Sequence, residues 1–348
     1  MRCPIVVDLF SGVGGFSLGA IQAGCQLVAA VDNDPINASV HARNFEHPFV
    51  QFDLSCSSKR LRAALPGLAS APDLVIAGPP CQGFSVGGRQ DPSDPRNLLL
   101  QHCVRHIIAL SPTAFVIENV AGLLNRPSRP VLARALRKLR KAGFAISEPI
   151  CMLNAADFGL PQRRLRVFVL GAQRGHRLPS YPRAQAQVVT VKDALHDLAT
   201  SGKRPGAIKA RHLRPASSFA QAMLHHDPDA MITGLERVDH SPEVTRRFES
   251  TELGRQESVS RFYRLDPASV APTLRAGTDR SNGSHTAPRP IHYIEPRCIT
   301  VREAARLHGF PDWFQFHATK WHAFRQIGNS VPPPLARSVL VEMKECLQ

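Results

Sequence analysis

The sequence predicts an α/β protein with a doubly wound, mostly parallel sheet and a second, smaller and irregular domain. Three observations carry this. Short apolar, β-rich runs alternate with helix-like segments over the first half of the chain. A glycine-rich turn follows the first of those runs, as at the ligand-binding edge of such sheets. After Gly171 the alternation dissolves into polar sequence containing proline, arginine and serine, up to about residue 297, with no internal repeat.

The elements follow in order. IVVDLF, starting at Ile5, is the first strand, and Gly12, Gly14 and Gly15 turn the chain into a helix near residues 17–24. LVAAVD is the second strand, ending at Asp32, with a helix over 35–44 behind it. DLVIAG precedes GPPCQGFS, and a helix is expected over 97–110 before the strand AFVIENV. RPVLARALRKLRKAGF then reads as an amphipathic helix over 130–142, with Pro130 at its start, a Leu132/Leu136/Leu139 stripe and Gly143 as its stop. RVFVLG completes the strands. Helical character resumes at TVREAARLHGF and at PPLARSVLVEMKECL, which is expected to pack back on the sheet. The expected division is 1–178, 179–321 and 322–348.

With 348 residues, 43% of them apolar and 20% charged, the chain can build one large core plus a smaller domain. No apolar run approaches the ~20 residues of a membrane span, and no signal-peptide pattern opens the chain. A cytoplasmic protein without membrane attachment is expected. The 8 cysteines are scattered without a CxxC pair, which argues against a zinc site and a disulfide framework, so no metal is expected. Charge is unevenly placed. Residues 1–121 hold 8 Lys and Arg against 9 Asp and Glu, whereas residues 122–180 hold 12 against 2. A net charge of +15 with such a basic block is the footprint of a polyanion binder, and nucleic acid is the leading partner. For the helix over 130–142 alone, a solvated basic face is the simpler reading.

DLFSGVGGFSLG lets a nucleotide-like ligand approach the backbone closely, and Asp32, about 20 residues on, can accept hydrogen bonds from ribose hydroxyls. Together they indicate an adenosine site, which NAD and S-adenosylmethionine both fit. In GPPCQGFS, two prolines fix the backbone leading into Cys81, while Gly83, Gly87 and Gly88 free the chain after it. A rigidly presented thiol beside a mobile lid suits a nucleophile; a buried structural cysteine is the alternative.

The order DLFSGVGG, GPPCQGFS, ENV at 118–120, QRRLRVFVLG at 162–171, TVREAARLHGFP and QIGNSVPPPLA resembles the DNA cytosine-5 methyltransferase family, of the bacterial restriction-modification type. The resemblance runs from residue 8 to about 338, except for roughly 175–290. It implies a Rossmann-like S-adenosylmethionine-dependent methyltransferase fold with a small target-recognition domain. Residues 1–178 would be catalytic and bind the cofactor, 179–321 would recognise the target, and 322–348 would return to the catalytic domain. The implied reaction transfers a methyl group from S-adenosylmethionine, leaving S-adenosylhomocysteine, to C5 of cytosine in a short double-stranded DNA sequence.

In that reaction Cys81 would add to C6 of a flipped-out cytosine, and Glu118 would protonate or hydrogen-bond N3. Arg164 and Arg166 alternate along a strand and so share a face; the resemblance has them holding the base oxygen, the glutamate and a phosphate, with Arg163 facing away. The matching cofactor positions are Phe10, Ser11, Gly12, Gly14, Gly15, Asp32, Asn33, Asp53, Leu54, Gly78, Pro80, Leu99, Asn329, Ser330 and Val331. The chain departs from the family in having Asp32 where glutamate is usual and Asn33 where some members carry an aromatic. Residues 82–96 would form the lid. Gln82, Ser85, Thr273, Arg275 and Thr278 are the candidates for DNA contact, the last three in APTLRAGTDRSNG. A monomer, and a cognate restriction endonuclease acting on the same site without being bound, complete the expectation.

Two further readings stand beside this one. A tRNA cytosine-5 methyltransferase shares the catalytic residues but typically lacks the QGFS form after the cysteine. An inactive DNA-binding regulator predicts a damaged motif, whereas Cys81, Glu118, Arg164, Arg166 and Asn329 are all present.

Overall fold

The computed structural model describes residues 2–68, 70–80, 98–200, 206–277 and 289–347. They form two compact units: residues 1–154, 165–184 and 331–348 in the first, residues 155–164 and 185–330 in the second. These boundaries differ from 178 and 321. The QRR segment ahead of the last long strand joins the second unit, and so does the chain up to Ser330.

The first unit is built on an eight-stranded sheet. Its strands are β1 (Ile5–Leu9), β2 (Gln26–Asp32), β3 (Phe49–Gln51), β4 (Leu74–Ala77), β5 (Ala114–Val120), β6 (Phe144–Ile146), β7 (Cys151–Asn154) and β8 (Leu165–Gln173). The order is β3-β2-β1-β4-β5-β8-β6, with β7 also paired to β8. Strands β1 to β5 run parallel because each connection carries a helical crossover: α1 (Gly15–Gln22), α2 (Pro35–Asn44), α3 (Ser58–Ala64) and α4 (Leu98–Leu110). Beyond β5 the pattern changes. Helix α5 (Arg129–Lys141) leads to β6, and β8 then runs antiparallel to β5, β6 and β7. The short β6 and β7, absent from the sequence expectation, reach β8 without crossover helices, which permits the antiparallel pairing.

Central strands read as continuous apolar runs because both faces are covered. Val75, Ala77, Phe115, Ile117, Val167 and Val169 join Leu100, Val104, Ile107, Leu132, Leu136 and Leu139 from α4 and α5 in one core. The C-terminal helix α11 (Pro333–Cys346) belongs to this unit and lies against α1. A side chain at Gly19 would meet the Ala336 methyl at 2.4 Å, so glycine there sets how closely the two helices approach.

The second unit holds α6 (Val191–Thr200), β9 (Ile208–Lys209), α7 (Ser218–Met223), β10 (Met231–Ile232), α8 (Pro242–Ser250), α9 (Val301–Leu307) and α10 (Lys320–Asn329). Regular structure is sparse, and buried arginines take up backbone carbonyls that no ladder satisfies. Arg302 donates to the carbonyls of Thr233, Pro311 and Phe314, and Arg306 is clasped between Asp197 and Asp312. Thr300 and Glu303 form a reciprocal cap at the start of α9. Among the described residues no helix is long and apolar enough to cross a membrane.

Candidate active site

The turn after β1 is built for close approach. Phe10 adopts φ 58, a left-handed conformation that disfavours a phenylalanine by roughly 1–2 kcal/mol. The neighbouring backbone holds it there: Ser11 N donates to Val31 O at 3.0 Å, and Gly78 N to Leu9 O at 3.2 Å. Gly14, at φ 98, needs glycine twice over, since a Cβ would also fall 2.4 Å from the Phe45 ring. Gly15 opens α1.

Gly12 N donates to Asp32 Oδ2 at 3.0 Å and Asp34 N to Asp32 Oδ1 at 2.9 Å, so the carboxylate at the end of β2 fixes the glycine turn. Burial lifts the Asp32 carboxyl above its usual range, against these hydrogen bonds. With the Asn37 side chain as a third donor, the carboxylate still keeps acceptor capacity for a ribose hydroxyl. A Cβ on Gly12 would meet nothing within 4 Å, and the buried Ser11 Oγ has no hydrogen-bond partner among the described residues. Open space at the turn, an uncommitted hydroxyl and a strand-end carboxylate fit an adenosyl ligand such as S-adenosylmethionine.

On the adjacent parallel strands, β4 gives way to Gly78, Pro79 and Pro80, and β5 presents Glu118. A Cβ on Gly78 would sit 3.7 Å from Glu118 Oε2, 3.9 Å from Val331 and 4.0 Å from the Phe10 carbonyl. Bare backbone therefore brings the Phe10 turn, the residues before Cys81 and the glutamate together. Asn119, 2% exposed, donates from Nδ2 to Pro79 O at 3.2 Å and accepts from Val120 N at 2.8 Å. That amide ties the segment entering Cys81 to the strand carrying Glu118. Reading ENV for its glutamate alone missed it.

Arg166, in β8, pairs with Glu118 through Nε and Oε1 at 2.8 Å, and its Nη1 donates to Leu165 O. Burial lowers the guanidinium's pKa, with Glu118 opposing. The alternation expected along QRRLRV holds in exposure: Arg163 is exposed and Arg164 is buried. Arg164 has protein partners of its own. It precedes β8 and donates to the carbonyls of Leu274 at 3.1 Å, Gly328 at 2.7 Å and Ser330 at 3.0 Å, all within the second unit. Gln162 works beside it, accepting from Leu274 N and donating to Leu307 O. A Cβ on Gly328 would fall 2.5 Å from Ala276 N, so the 274–276 segment and the end of α10 meet backbone to backbone.

Another group missed in the sequence is Asp8, fully buried in β1. It accepts from Ser17 Oγ at 2.7 Å, and desolvation pushes its carboxyl up to about 8.

Other expected positions are more dispersed. Asp53 is exposed, and hydrogen bonds from Ser55 N and Oγ hold its carboxyl below the usual range. Asn33 is exposed, Leu54 buried and Leu99 half-buried. Asn329 and Ser330 close α10 in the second unit, where Ser330 Oγ donates to Gln326 O. Thr273 spends its hydroxyl on Arg163 O at 2.7 Å, and Arg275 is exposed. Cys81, Gln82, Ser85, Thr278 and the segment 82–96 lie outside the described residues.

The chain is similar to known proteins along nearly its whole length. Residues 5–345 match the model of the family described as C-5 cytosine-specific DNA methylase. Type II methyltransferase M.XorII of Xanthomonas oryzae pv. oryzae is 41% identical over 367 residues, covering 100% of this chain and 86% of its own. Type II methyltransferase M1.HphI of Haemophilus parahaemolyticus is 31% identical, covering 96% and 84%. A solved structure described as a DNA modification methyltransferase encoded within a prophage (E. coli) superposes with a TM-score of 0.84 at 34% identity, over 99% of both chains. That of the S. pombe Dnmt2 methyltransferase, at 18% identity and a TM-score of 0.61, shares the fold. The sheet is thus the Rossmann-like one of methyltransferases, and the chain belongs to the C-5 cytosine-specific DNA methylase family.

Proposed function

We propose that the chain methylates one cytosine within a short double-stranded DNA sequence, with Cys81 as nucleophile and Glu118 and Arg166 as its partners on the flipped base. The observation that carries this is the Glu118–Arg166 pair beside the bare backbone of Gly78, three residues before Cys81. Cytosine C5 is a poor nucleophile. Addition of the Cys81 thiolate to C6, with Glu118 hydrogen-bonding N3, turns the ring into an enamine whose C5 can attack. Bound S-adenosylmethionine supplies the electrophilic methyl group and leaves as S-adenosylhomocysteine. Loss of the C5 proton and expulsion of Cys81 then restore the ring and the thiolate.

Arg166 holds Glu118 in place and keeps positive charge at the base. Asp32, Ser11 and the Phe10–Gly15 turn hold the adenosyl moiety, with Gly78, Pro80 and Val331 close behind. Arg164 acts differently in this reading, as a positioning residue that pins the 274–276 segment of a target-recognition unit. The family context brings with it a restriction-modification setting, in which a separate endonuclease cuts the same sequence when it is unmethylated, and a monomeric enzyme.

The test is transfer of labelled methyl groups from S-adenosylmethionine to duplex DNA and, in parallel, to tRNA. Label in DNA at cytosine C5 supports the reading. Label in tRNA alone overturns it in favour of the RNA enzyme on the same scaffold.

A further inference from the structure

A cavity of about 430 Å³ opens on the second unit, lined by Arg211, Arg214, Gln221, His225 and His226, with no acidic side chain in its wall. The fold makes it from local pieces. Strand β9 pairs with β10, Arg211 N donates to Pro228 O at 2.8 Å, and α7 closes the other side, capped by Ser217 through Ala220 N. From Leu198 to His226 the sequence has five lysines and arginines and no aspartate or glutamate.

The side chains are arranged as donors. Arg214 spends only Nη1, on the carbonyls of Arg211 and Leu213, so Nε and Nη2 have no partner among the described residues. His225 Nδ1 accepts from Asp227 N at 3.0 Å, which leaves Nε2 to carry the proton and point a donor elsewhere. The His226 ring stacks on it at 4.8 Å. Asp229 neutralises Lys209 and Arg211 and lies outside the wall. The chemistry this selects is a phosphate group, taken up by a guanidinium edge and imidazole N–H.

We infer that the cavity seats a backbone phosphate of the DNA substrate, anchoring the duplex without reading its sequence. This rests on the DNA methyltransferase reading. The source of the phosphate is the duplex, because a polyanion laid on a basic unit presents phosphodiesters at fixed spacing, and such contacts position the protein while base edges specify it.

The experiment measures binding of the full-length protein to a cognate and a scrambled duplex across a salt series, for wild type, Arg214→Ala, Arg214→Lys and Gln221→Glu. Gln221 is exposed and has no hydrogen bond from its side chain among the described residues, so its replacement tests charge without removing a structural contact. Arg214→Ala is expected to weaken both duplexes several-fold by the same factor and to reduce the log–log salt slope by about 0.9, one phosphate's worth of counterion release. Gln221→Glu should weaken both duplexes as well, and Arg214→Lys should keep most of the slope.

Unchanged affinity and slope in both Arg214→Ala and Gln221→Glu overturn the proposal. So does a loss confined to the cognate duplex, which would make these residues base readers. Inorganic phosphate titrated into the wild type, with binding lost in Arg214→Ala while DNA affinity holds, would assign the cavity to a free anion instead. Methyl transfer by the wild type on the cognate duplex is followed separately. Its absence sinks the enzymatic reading and leaves the slope comparison to be judged by itself.

Discussion

Arg166 Nε lies 2.8 Å from Glu118 Oε1, with the two side chains only 13% and 11% exposed. A carboxylate and a guanidinium so shielded from water are strongly coupled, and the arginine fixes where the carboxyl oxygens point. Glu118→Gln keeps the shape and removes the group that can share a proton with N3. It should lower kcat by about 10²–10⁴-fold with little change in KM for DNA, as read in steady-state methylation assays. A change confined to KM would contradict this role.

Arg164 should behave as a structural positioning residue. Its three carbonyl partners are buried with it, so Arg164→Ala leaves them short of donors and should destabilise the protein by roughly 2–4 kcal/mol. Arg163 is exposed, and Arg163→Ala should leave stability nearly unchanged. Thermal melts compare the two. Methylation at a near-cognate site, relative to the cognate one, distinguishes loss of loop position in Arg164→Lys from loss of chemistry. Equal effects at 163 and 164 would mean the buried clamp does no positioning.

Asp8 gives a pH signature. Its carboxyl is pushed up to about 8 in the folded chain from an ordinary 3.8. Between those values the folded protein holds a proton that the unfolded chain has released. Its contribution to stability is therefore full below about pH 4, declines as pH rises towards 8 and is flat above. Burial pulls His41 and His47 down to about 3 and 4 and also lowers His102, His106, His240 and His292, so near pH 6.5 the unfolded chain binds protons that the fold does not, an opposing trend that the wild type and an Asp8 variant share. The melting temperature of the wild type relative to that of Asp8→Asn should therefore decline from pH 6.5 to 8. Parallel curves would show that Asp8 is not the titrating group.

Much of the first unit was legible because its strands and helices are local patterns. The apolar runs at Ile5, Leu74 and Ala114, and the leucine stripe of α5, report their burial directly in the sequence. The carboxylate of Asp32 and the glycines of the turn were legible for the same reason, as strand-end chemistry at fixed spacing. Strands β6 and β7, of three and four residues, give too short a period to register. Arg164 could be placed on a buried face, yet its partners Leu274, Gly328 and Ser330 lie 110 to 166 residues away, and no local pattern encodes such a contact. Apart from the helix at TVREAARLHGF, the second unit was opaque, because buried arginines such as Arg302 and Arg306 replace the apolar periodicity that sequence reading depends on.

Cytosine methylation of DNA through Cys81 can be read out in cells. Bisulfite sequencing of plasmid DNA from cells expressing the wild-type chain and, separately, Cys81→Ala tests it most directly. Protected cytosines are expected at one short motif with the wild type and none with the variant. Protection that persists in Cys81→Ala, or an absence of 5-methylcytosine with the wild type, would contradict it.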